Sequence, residues 1–222
     1  MIQSSSNQSQ RDLVIIGAGG FAREVAWLAE EVGEFAVKGF LDDNAQVGEV
    51  HFDYPVLGKV SEWQEYAQCE FVVAIGAPRA RLHVVQAMEA VGTPKWASLV
   101  HPTASVSRNV ELGHGSVITA GCVVTTDIHI GAHNHVNINA TIGHDCVMGA
   151  FSTIAPLAAI SGFVNLGVGV EIGTGAAIRQ GLTLEDGAFA GMGAVVTKNV
   201  PRDTLVIGNP AREVRTLEPI GA

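Results

Sequence analysis

Residues 142–178 read IGHDCVMGAFSTIAPLAAISGFVNLGVGVEIGTGAAI, and a large aliphatic side chain recurs at every sixth position of this stretch. The same spacing extends in both directions, from Val100 to Val196, without a break in register. Glycine often follows the aliphatic residue, and a small or aliphatic residue stands four positions after it. An amphipathic helix repeats its apolar positions every ~3.6 residues, so this period excludes one. The pattern predicts a parallel β-helix of short strands and tight corners, with glycine relieving the corners.

The period also predicts how the coils stack. Three six-residue segments are expected to close one coil, so residues eighteen apart should lie one above another. The seventeen aliphatic positions then give between five and six coils. At roughly 4.8 Å between neighbouring strands, the column would be on the order of 27 Å tall. Rows of stacked Val, Ile and Leu would fill a continuous core without helices.

The composition changes near residue 95 and predicts two domains. Residues 1–11 are rich in Ser and Gln, which indicates a disordered tail rather than a signal peptide. We expect an α/β domain over residues 12–96 and the β-helix, with a C-terminal cap, over residues 97–222. A net charge of −9 with 13 basic residues argues against a nucleic-acid partner, and no apolar run reaches the length of a membrane span. Three cysteines suggest no disulfide framework, so we expect a cytoplasmic protein.

The segment DLVIIGAGG, residues 12–20, reads as a buried strand that enters a glycine-rich turn. A helix is predicted over residues 21–32, further strands over 37–41 and 71–75, and a second helix over 79–91. These βαβ units predict half of a Rossmann fold, which suits a mononucleotide or nucleotide-sugar better than a dinucleotide. Ligands are expected beyond the C-terminal strand ends. The candidate substrate-binding residues there are Gly17, Gly19, Gly20, Asp42, Asp43 and Gly76. The alternative is that the glycines serve only close packing of strand and helix.

Both parts of the chain together resemble the bacterial sugar acyltransferases of the sialic-acid O-acetyltransferase type. Within them, the chain is most similar to the branch that acetylates the amine of nucleotide-linked 4-amino-sugars. The resemblance covers nearly the whole chain after the tail. It is carried by GAGG (17–20), GFLDD (39–43), AIG (74–76), VHP (100–102), IGHDC (142–146) and GNPAR (208–212).

The resemblance implies a left-handed β-helix, a homotrimer, and acetyl-CoA bound between neighbouring subunits. It implies a nucleotide-linked amino-sugar as the acceptor, such as a 4-amino-4,6-dideoxy sugar, in surface-glycan or glycoprotein synthesis. His144 would be the general base and Asp145 the acid that orients it, since an amine loses a proton as it attacks the thioester. Asn137 matches a polar substrate contact. Thr153 stands where relatives place a second histidine near the thioester. The amine attacks directly, so neither a metal nor an acyl-enzyme is required.

The late coils are expected to supply the groove for acetyl-CoA. Glycine corners let the cofactor approach the backbone, and basic side chains can meet its phosphates. Lys198 and Arg202 could instead solvate the open end of the β-helix. The predicted cofactor-binding residues, besides Thr153, are Gly162, Gly191, Met192, Gly193, Lys198, Arg202 and Arg212.

The other histidines predict no metal site. A ladder of metal ligands would need histidines eighteen residues apart, and no two of His101, His114, His129, His133 and His135 have that spacing. His133 and His135 lie two apart, which is a weak metal signal.

Two other functions remain open at this level. The first is O-acetylation of sialic acid or another sugar hydroxyl. The second is a non-catalytic, nucleotide-binding scaffold, which the pairing of His144 with an acid and the glycine-rich loop disfavour, because a scaffold needs neither.

Overall fold

The computed structural model of the chain describes residues 10–221. Of the predicted tail, residues 1–9 lie outside the described residues, and Arg11 is the first residue of the first strand. Among residues 10–221, no helix combines the length and the apolar character that crossing a bilayer requires.

A mainly parallel sheet with helices on both faces forms the N-terminal part. Its strand order is β3-β4-β2-β1-β5-β6, and all neighbours are parallel except β3 and β4. In chain order the elements are β1 (Arg11–Ile16), α1 (Gly20–Val32), β2 (Phe35–Leu41), β3 (Val50–His51), β4 (Tyr54–Gly58), a 3-10 helix (Val60–Tyr66), β5 (Glu70–Val73), α2 (Pro78–Glu89) and β6 (Lys95–Trp96).

Strand β1 is buried on both faces, which explains its unbroken apolar run. Leu13 and Ile15 pack on the side of α1, whereas Val14 and Ile16 pack on the side of α2 and the 3-10 helix. Because β1, β2 and β5 are parallel, their C-terminal ends meet at one edge of the sheet. That edge carries the glycine-rich loop and the predicted substrate-binding residues after β2 and β5.

The predicted elements of this domain are present with shifted ends. Strand β2 begins two residues before its predicted start, and β5 ends two residues before its predicted end. Helix α2 ends at Glu89 rather than at Val91. The sequence did not predict β3, β4, the 3-10 helix or β6.

The C-terminal part is a left-handed parallel β-helix, as predicted. Residues eighteen apart pair along each face, for example Val136 with Ile154 and Ile154 with Ile172. From Ile118 to Val196 every aliphatic position of the repeat is at most 3% exposed. The burial of these rows confirms the predicted core and its eighteen-residue stacking.

The coils have three faces, named here in the order in which the chain meets them. The first face contains β7 (Leu99–Val100), β10 (Val117–Ile118), β13 (His135–Val136), β16 (Thr153–Ile154), β19 (Glu171–Ile172) and β22 (Phe189–Ala190). The second face contains β8 (Ser105–Val106), β11 (Val123–Val124), β14 (Thr141–Ile142), β17 (Ala159–Ile160), β20 (Ala177–Ile178) and β23 (Val195–Val196). The third face contains β9 (Val110–Leu112), β12 (Ile128–Ile130), β15 (Val147–Met148), β18 (Asn165–Leu166) and β21 (Thr183–Leu184).

Each face is followed by a corner, which takes the number of that face. The prediction that the glycine after the aliphatic residue relieves the corner is wrong. The residue with positive φ is the third after the aliphatic residue, as at Asp145 (φ 58°) after Ile142 and Phe163 (φ 59°) after Ile160. The earlier glycine is needed because the next coil passes close by. A Cβ on Gly143 would lie 2.6 Å from the backbone nitrogen of Gly162.

A two-stranded cap closes the C-terminal end of the β-helix. Strand β24 (Thr204–Ile207) continues the first face beside β22, and β25 (Arg212–Thr216) pairs antiparallel with β24. The exposed edge of the first face is thereby paired within the chain.

Arg81, on the first turns of α2, joins the two parts of the chain. Its side chain is fully buried. Its guanidinium donates hydrogen bonds to backbone oxygens in the turn after β5 and at the ends of the second and third coils. It also contacts two side chains of the first face. The partners are Ile75 O (2.6 Å), Gly76 O (3.0 Å), His133 O (2.9 Å), Phe151 O (2.8 Å), Ser152 O (3.1 Å), Thr153 Oγ1 (2.9 Å) and His135 Nδ1 (3.0 Å).

Burial lowers the pKa of Arg81 to about 9, and burial likewise holds the pKa of His135 well below its ordinary value. His135 is therefore neutral near pH 7. Its Nδ1 accepts the Arg81 hydrogen bond, so the ring proton is on Nε2. A charged guanidinium among carbonyl oxygens fixes the sheet edge against the β-helix.

Candidate active site

His144 and Asp145 form an exposed pair at the second corner, directly after β14. The Nδ1–H of His144 donates to Asp145 Oδ2 at 2.7 Å. The two side chains are 54% and 46% exposed, so the imidazole is open to a reactant. Asp145 reaches back because its backbone has positive φ, with its N–H bonded to Thr126 O. With Nδ1 holding the proton, Nε2 has a free lone pair and can accept a proton.

Gly162, one coil further along the same corner, lies directly under the His144 ring. A Cβ on Gly162 would stand 2.7 Å from His144 Cε1 and 2.8 Å from Nε2. Phe163 contacts the ring edge-on, with the centroids 5.1 Å apart, and is 56% exposed. The absence of a side chain at Gly162 therefore leaves room for the imidazole, and Phe163 forms an apolar wall beside it.

Lys198 lies on the same corner as His144, because it follows β23 as His144 follows β14. The two strands are three rungs apart on the second face, or roughly 14 Å at the usual strand spacing. Lys198 and Arg212 line a shared cleft of about 150 Å³ at the capped end. Arg202 is not part of this group, since its guanidinium pairs with Asp186 at 2.8 Å.

Asn137 and the stretch Gly191–Gly193 lie at the first corner, not at the second. The Asn137 side chain donates to Ile154 O at 3.0 Å. The N–H groups of Gly191 and Gly193 already bond to Val206 O and Thr174 O. Met192 is 80% exposed. Within a single chain, these predicted contacts therefore lie one coil face away from His144.

The glycine-rich loop leaves the start of α1 accessible. Gly19 is the N-cap residue of α1 and provides no side-chain cap, and Gly17 has a φ of +100°. A Cβ on Gly19 would meet no atom within 4 Å. Arg23, in the first turn, brings its guanidinium to 3.8 Å from the Cβ position of Gly20. Unblocked N–H groups at a helix N-terminus beside a cation favour a phosphate.

Asp42 supports this loop rather than pointing away from it. Its Oδ2 accepts the Ala18 N–H at 2.7 Å, and its Oδ1 accepts the N–H groups of Asn44 and Ala45 at 2.7 and 3.0 Å. Burial alone would raise the pKa of Asp42, but these backbone donors outweigh it and lower the pKa. Both oxygens are engaged, so the predicted direct contact with the nucleotide finds no support in this geometry.

Asp43 is exposed and lies at the mouth of a separate cavity. Its Oδ1 accepts the Val60 N–H at 3.0 Å. The cavity has a volume of about 470 Å³ and lies between the 3-10 helix and α2, with Trp63, His83 and Met88 in its lining. A planar ring could enter there beside a carboxylate, which keeps Asp43 as a candidate contact.

Gly76 and Thr153 meet at the junction of the two domains. The Thr153 hydroxyl donates to Gly76 O at 2.7 Å and accepts from Arg81 at 2.9 Å. Thr153 is 7% exposed. The predicted contact of Thr153 with the cofactor is therefore not supported, because its hydroxyl is already paired inside the chain. Gly76 remains at the C-terminal edge of the sheet, where its carbonyl is engaged.

Sequence reasoning missed Arg23, Arg81 and Phe163. Arg23 stands in the first turn after the glycine-rich loop, so its position in the motif could have indicated it. Arg81 looks like any polar residue on a helix until its partners are known. Phe163 falls at a corner position where the pattern favours no residue type.

Comparisons with known proteins agree with this architecture. Residues 12–88 match the family model described as the PglD N-terminal domain. The acetyltransferase domain of PglB from Neisseria gonorrhoeae, in complex with acetyl coenzyme A, is 37% identical, with a TM-score of 0.86 over 93% of this chain and 100% of that one. A comparison with curated proteins found no match.

Two further structures cover nearly the whole chain. PerB from Caulobacter crescentus, in complex with CoA and GDP-perosamine, is 31% identical, with a TM-score of 0.85 over 92% of this chain and 97% of that one. WeeI from Acinetobacter baumannii is 32% identical, with a TM-score of 0.80 over 92% of this chain and 100% of that one.

Proposed function

This chain belongs to the family of acetyl-CoA-dependent sugar N-acetyltransferases that includes PerB and the acetyltransferase domain of PglB, and from that premise we propose that it acetylates the amine of a nucleotide-linked amino-sugar. A 4-amino-4,6-dideoxy sugar is the proposed acceptor, and acetyl-CoA is the donor. The observation that carries the proposal is the exposed His144–Asp145 pair in a chain that also holds an accessible glycine-rich loop.

The nucleotide would lie at the C-terminal edge of the parallel sheet. The start of α1 and Arg23 would receive the diphosphate. The cavity beside Asp43 would take the base. PerB was solved with a GDP-linked sugar, which supports a nucleotide-linked acceptor here and leaves the base of this substrate to experiment. Arg81 would hold this edge against the third corner and the first face of the β-helix. In the proposed homotrimer, the sugar would meet a second corner at the cleft between subunits.

His144 supplies the proton transfer. Its Nε2 accepts a proton from the amine as the nitrogen forms its bond to the thioester carbonyl carbon. Asp145 keeps the Nδ1 proton in place and stabilises the imidazolium that results. When the tetrahedral intermediate collapses, the C–S bond breaks and the imidazolium returns the proton to the departing thiolate. No acyl-enzyme is needed, because the thioester is already activated.

We propose that the enzyme acts as a homotrimer with an active site between subunits. The predicted cofactor contacts are divided between two corners, which supports a groove completed by a neighbouring copy. Large apolar side chains are exposed at these corners and on the second and third faces, as expected for a surface covered by another subunit. They are Val123, Val147, Leu157, Phe163 and Met192.

The substitution His144→Asn tests the general base. It should reduce kcat by about 10²–10⁴-fold with little change in melting temperature, since the side chain is exposed. His129→Asn is a matched control, because His129 is also exposed and bonds to a carboxylate, Glu111, at 2.9 Å on the third face. Wild-type turnover in His144→Asn would reject His144 as the base.

The acceptor is tested by following release of the CoA thiol. UDP-, GDP- and dTDP-linked 4-amino-4,6-dideoxy sugars should be compared with free sialic acid. Turnover with a nucleotide-linked amine supports the proposal and identifies the base. If sialic acid were the only substrate turned over, the proposal would be replaced by O-acetylation of a sugar hydroxyl.

A further inference from the structure

Glu89, His114 and His133 meet at the third corner, on the side where the β-helix contacts α2. One ligand atom from each of the three residues lies within 4.8 Å of those of the other two. Glu89 is the last residue of α2, whereas His114 and His133 follow the paired strands β9 and β12 of successive coils. The cluster therefore spans the two domains, apart from the His144 site at the second corner.

His133 is the most unusual member of the group. It is 2% exposed, and neither of its ring nitrogens has a hydrogen-bond partner within residues 10–221. Buried polar atoms are normally paired, so two unpaired nitrogens on one ring require an explanation. A histidine ring nitrogen that has no hydrogen-bond partner is a potential metal ligand.

The surroundings hold His133 rigidly and orient Glu89. The His133 ring stacks on Phe151 with the centroids 5.1 Å apart, and its backbone N–H donates to His114 O at 2.8 Å. Trp96 Nε1 donates to Glu89 Oε1 at 2.9 Å. A hydrogen bond to a carboxylate from outside the cluster is the support that metal-binding carboxylates usually receive.

We propose that Glu89, His114 and His133 bind a divalent transition metal, with Zn²⁺ the ion best suited to two imidazoles and a carboxylate. Ligand atoms about 2.0–2.2 Å from a tetrahedral ion lie roughly 3.3–3.5 Å apart. The exposed side chains of Glu89 and His114 can close that gap by rotation, while His133 stays fixed. The ion would tie the end of α2 to the first two coils and has no part in acetyl transfer.

This proposal departs from the expectation that the chain binds no metal. That expectation considered histidines eighteen residues apart, the spacing of residues stacked within one face, and the pair His133 and His135, which are two residues apart. His114 and His133 are nineteen apart, and their rings are 5.2 Å apart because the chain turns at His133, whose φ is 56°.

Metal binding should be measured on the full chain after treatment with a chelator and exchange into metal-free buffer. Zn²⁺ is titrated by calorimetry, and Co²⁺ by visible absorption, which separates four-coordinate from six-coordinate sites. We expect one ion per chain and a rise in melting temperature on the order of 5 °C at saturating Zn²⁺. His114→Ala and Glu89→Gln, both at exposed positions, should each weaken binding at least about tenfold.

Two variants serve as controls. His129→Ala removes another exposed His–Glu pair, and His144→Ala removes the only other site where we place a functional histidine; both should retain the ion. A dissociation constant above about 100 µM for the wild type would overturn the proposal. Tight binding that persists unchanged in both His114→Ala and Glu89→Gln would also overturn it.

Discussion

Replacing Arg81 by lysine should destabilise the protein far more than a conservative change usually does. The guanidinium has five N–H donors and is fully buried among carbonyl oxygens, whereas an ammonium has three donors and a different shape. At least two donors are lost, and each buried acceptor left unpaired costs about 1–3 kcal/mol. We therefore expect Arg81→Lys to lower the free energy of unfolding by roughly 2–6 kcal/mol, and the melting temperature by roughly 5–20 °C.

The assay is urea unfolding followed by circular dichroism, with Arg79→Lys as the matched control. Arg79 lies two residues earlier on α2, and its side chain is 30% exposed while it bonds to Asp203 and Glu218. This partly exposed arginine should tolerate lysine at a cost of about 1 kcal/mol or less. If Arg81→Lys matched Arg79→Lys within about 0.5 kcal/mol, the role given to the buried guanidinium would be refuted.

Three further predictions concern the two halves of the active site. Gly162→Ala should displace the His144 ring and lower kcat at least about tenfold. The melting temperature should be unchanged or raised, since Gly162 does not have positive φ. A wild-type kcat would show that the position of the ring does not depend on the space left by Gly162. Arg23→Gln should raise KM for the nucleotide-linked substrate about tenfold with kcat nearly unchanged. Arg108→Gln, a change at another exposed arginine, should leave KM unchanged. If the Arg23→Gln and wild-type proteins had equal KM values, Arg23 would not belong to the phosphate site. Because the pKa of Asp42 is lowered in the folded state, its contribution to stability is complete above its unfolded pKa near 3.8 and is lost as pH falls through the folded value. Asp42→Asn should therefore be less stable than the wild type at pH 7, and the difference should shrink in urea titrations below pH 4; a constant difference would contradict this.

Some of the predicted contacts find no support in the local geometry. Asp42 looked like a nucleotide ligand because it stands at a strand end. Its oxygens instead accept the N–H of Ala18 in the glycine-rich loop and the N–H groups of Asn44 and Ala45, which follow it in the chain. Thr153 was matched to a cofactor contact by register alone, and register does not reveal that α2 covers this position. Arg202 was counted with the basic residues of the cofactor groove, yet a neighbouring coil offers it Asp186.

The amino-acid sequence alone determined the β-helix. One large apolar side chain in every six residues places an inward-facing residue on each strand of every coil. The stacking of Ile142 on Ile160 therefore follows from the spacing. The sequence also indicated the His144–Asp145 pair, because the two residues are adjacent and need no long-range contact to meet. In the same way, the strand, glycine-rich turn and helix after Asp12 are specified within about twenty residues.

Only the tertiary structure decided how the two domains meet and what lies between them. Arg81 reaches partners 52 to 72 residues away in the β-helix, and Glu89 reaches His114 and His133 across the same junction. Such contacts depend on which side of α2 packs against which corner of the coils. No periodicity specifies that packing, because it is selected by the burial and pairing of the whole interface rather than by the order of neighbouring residues.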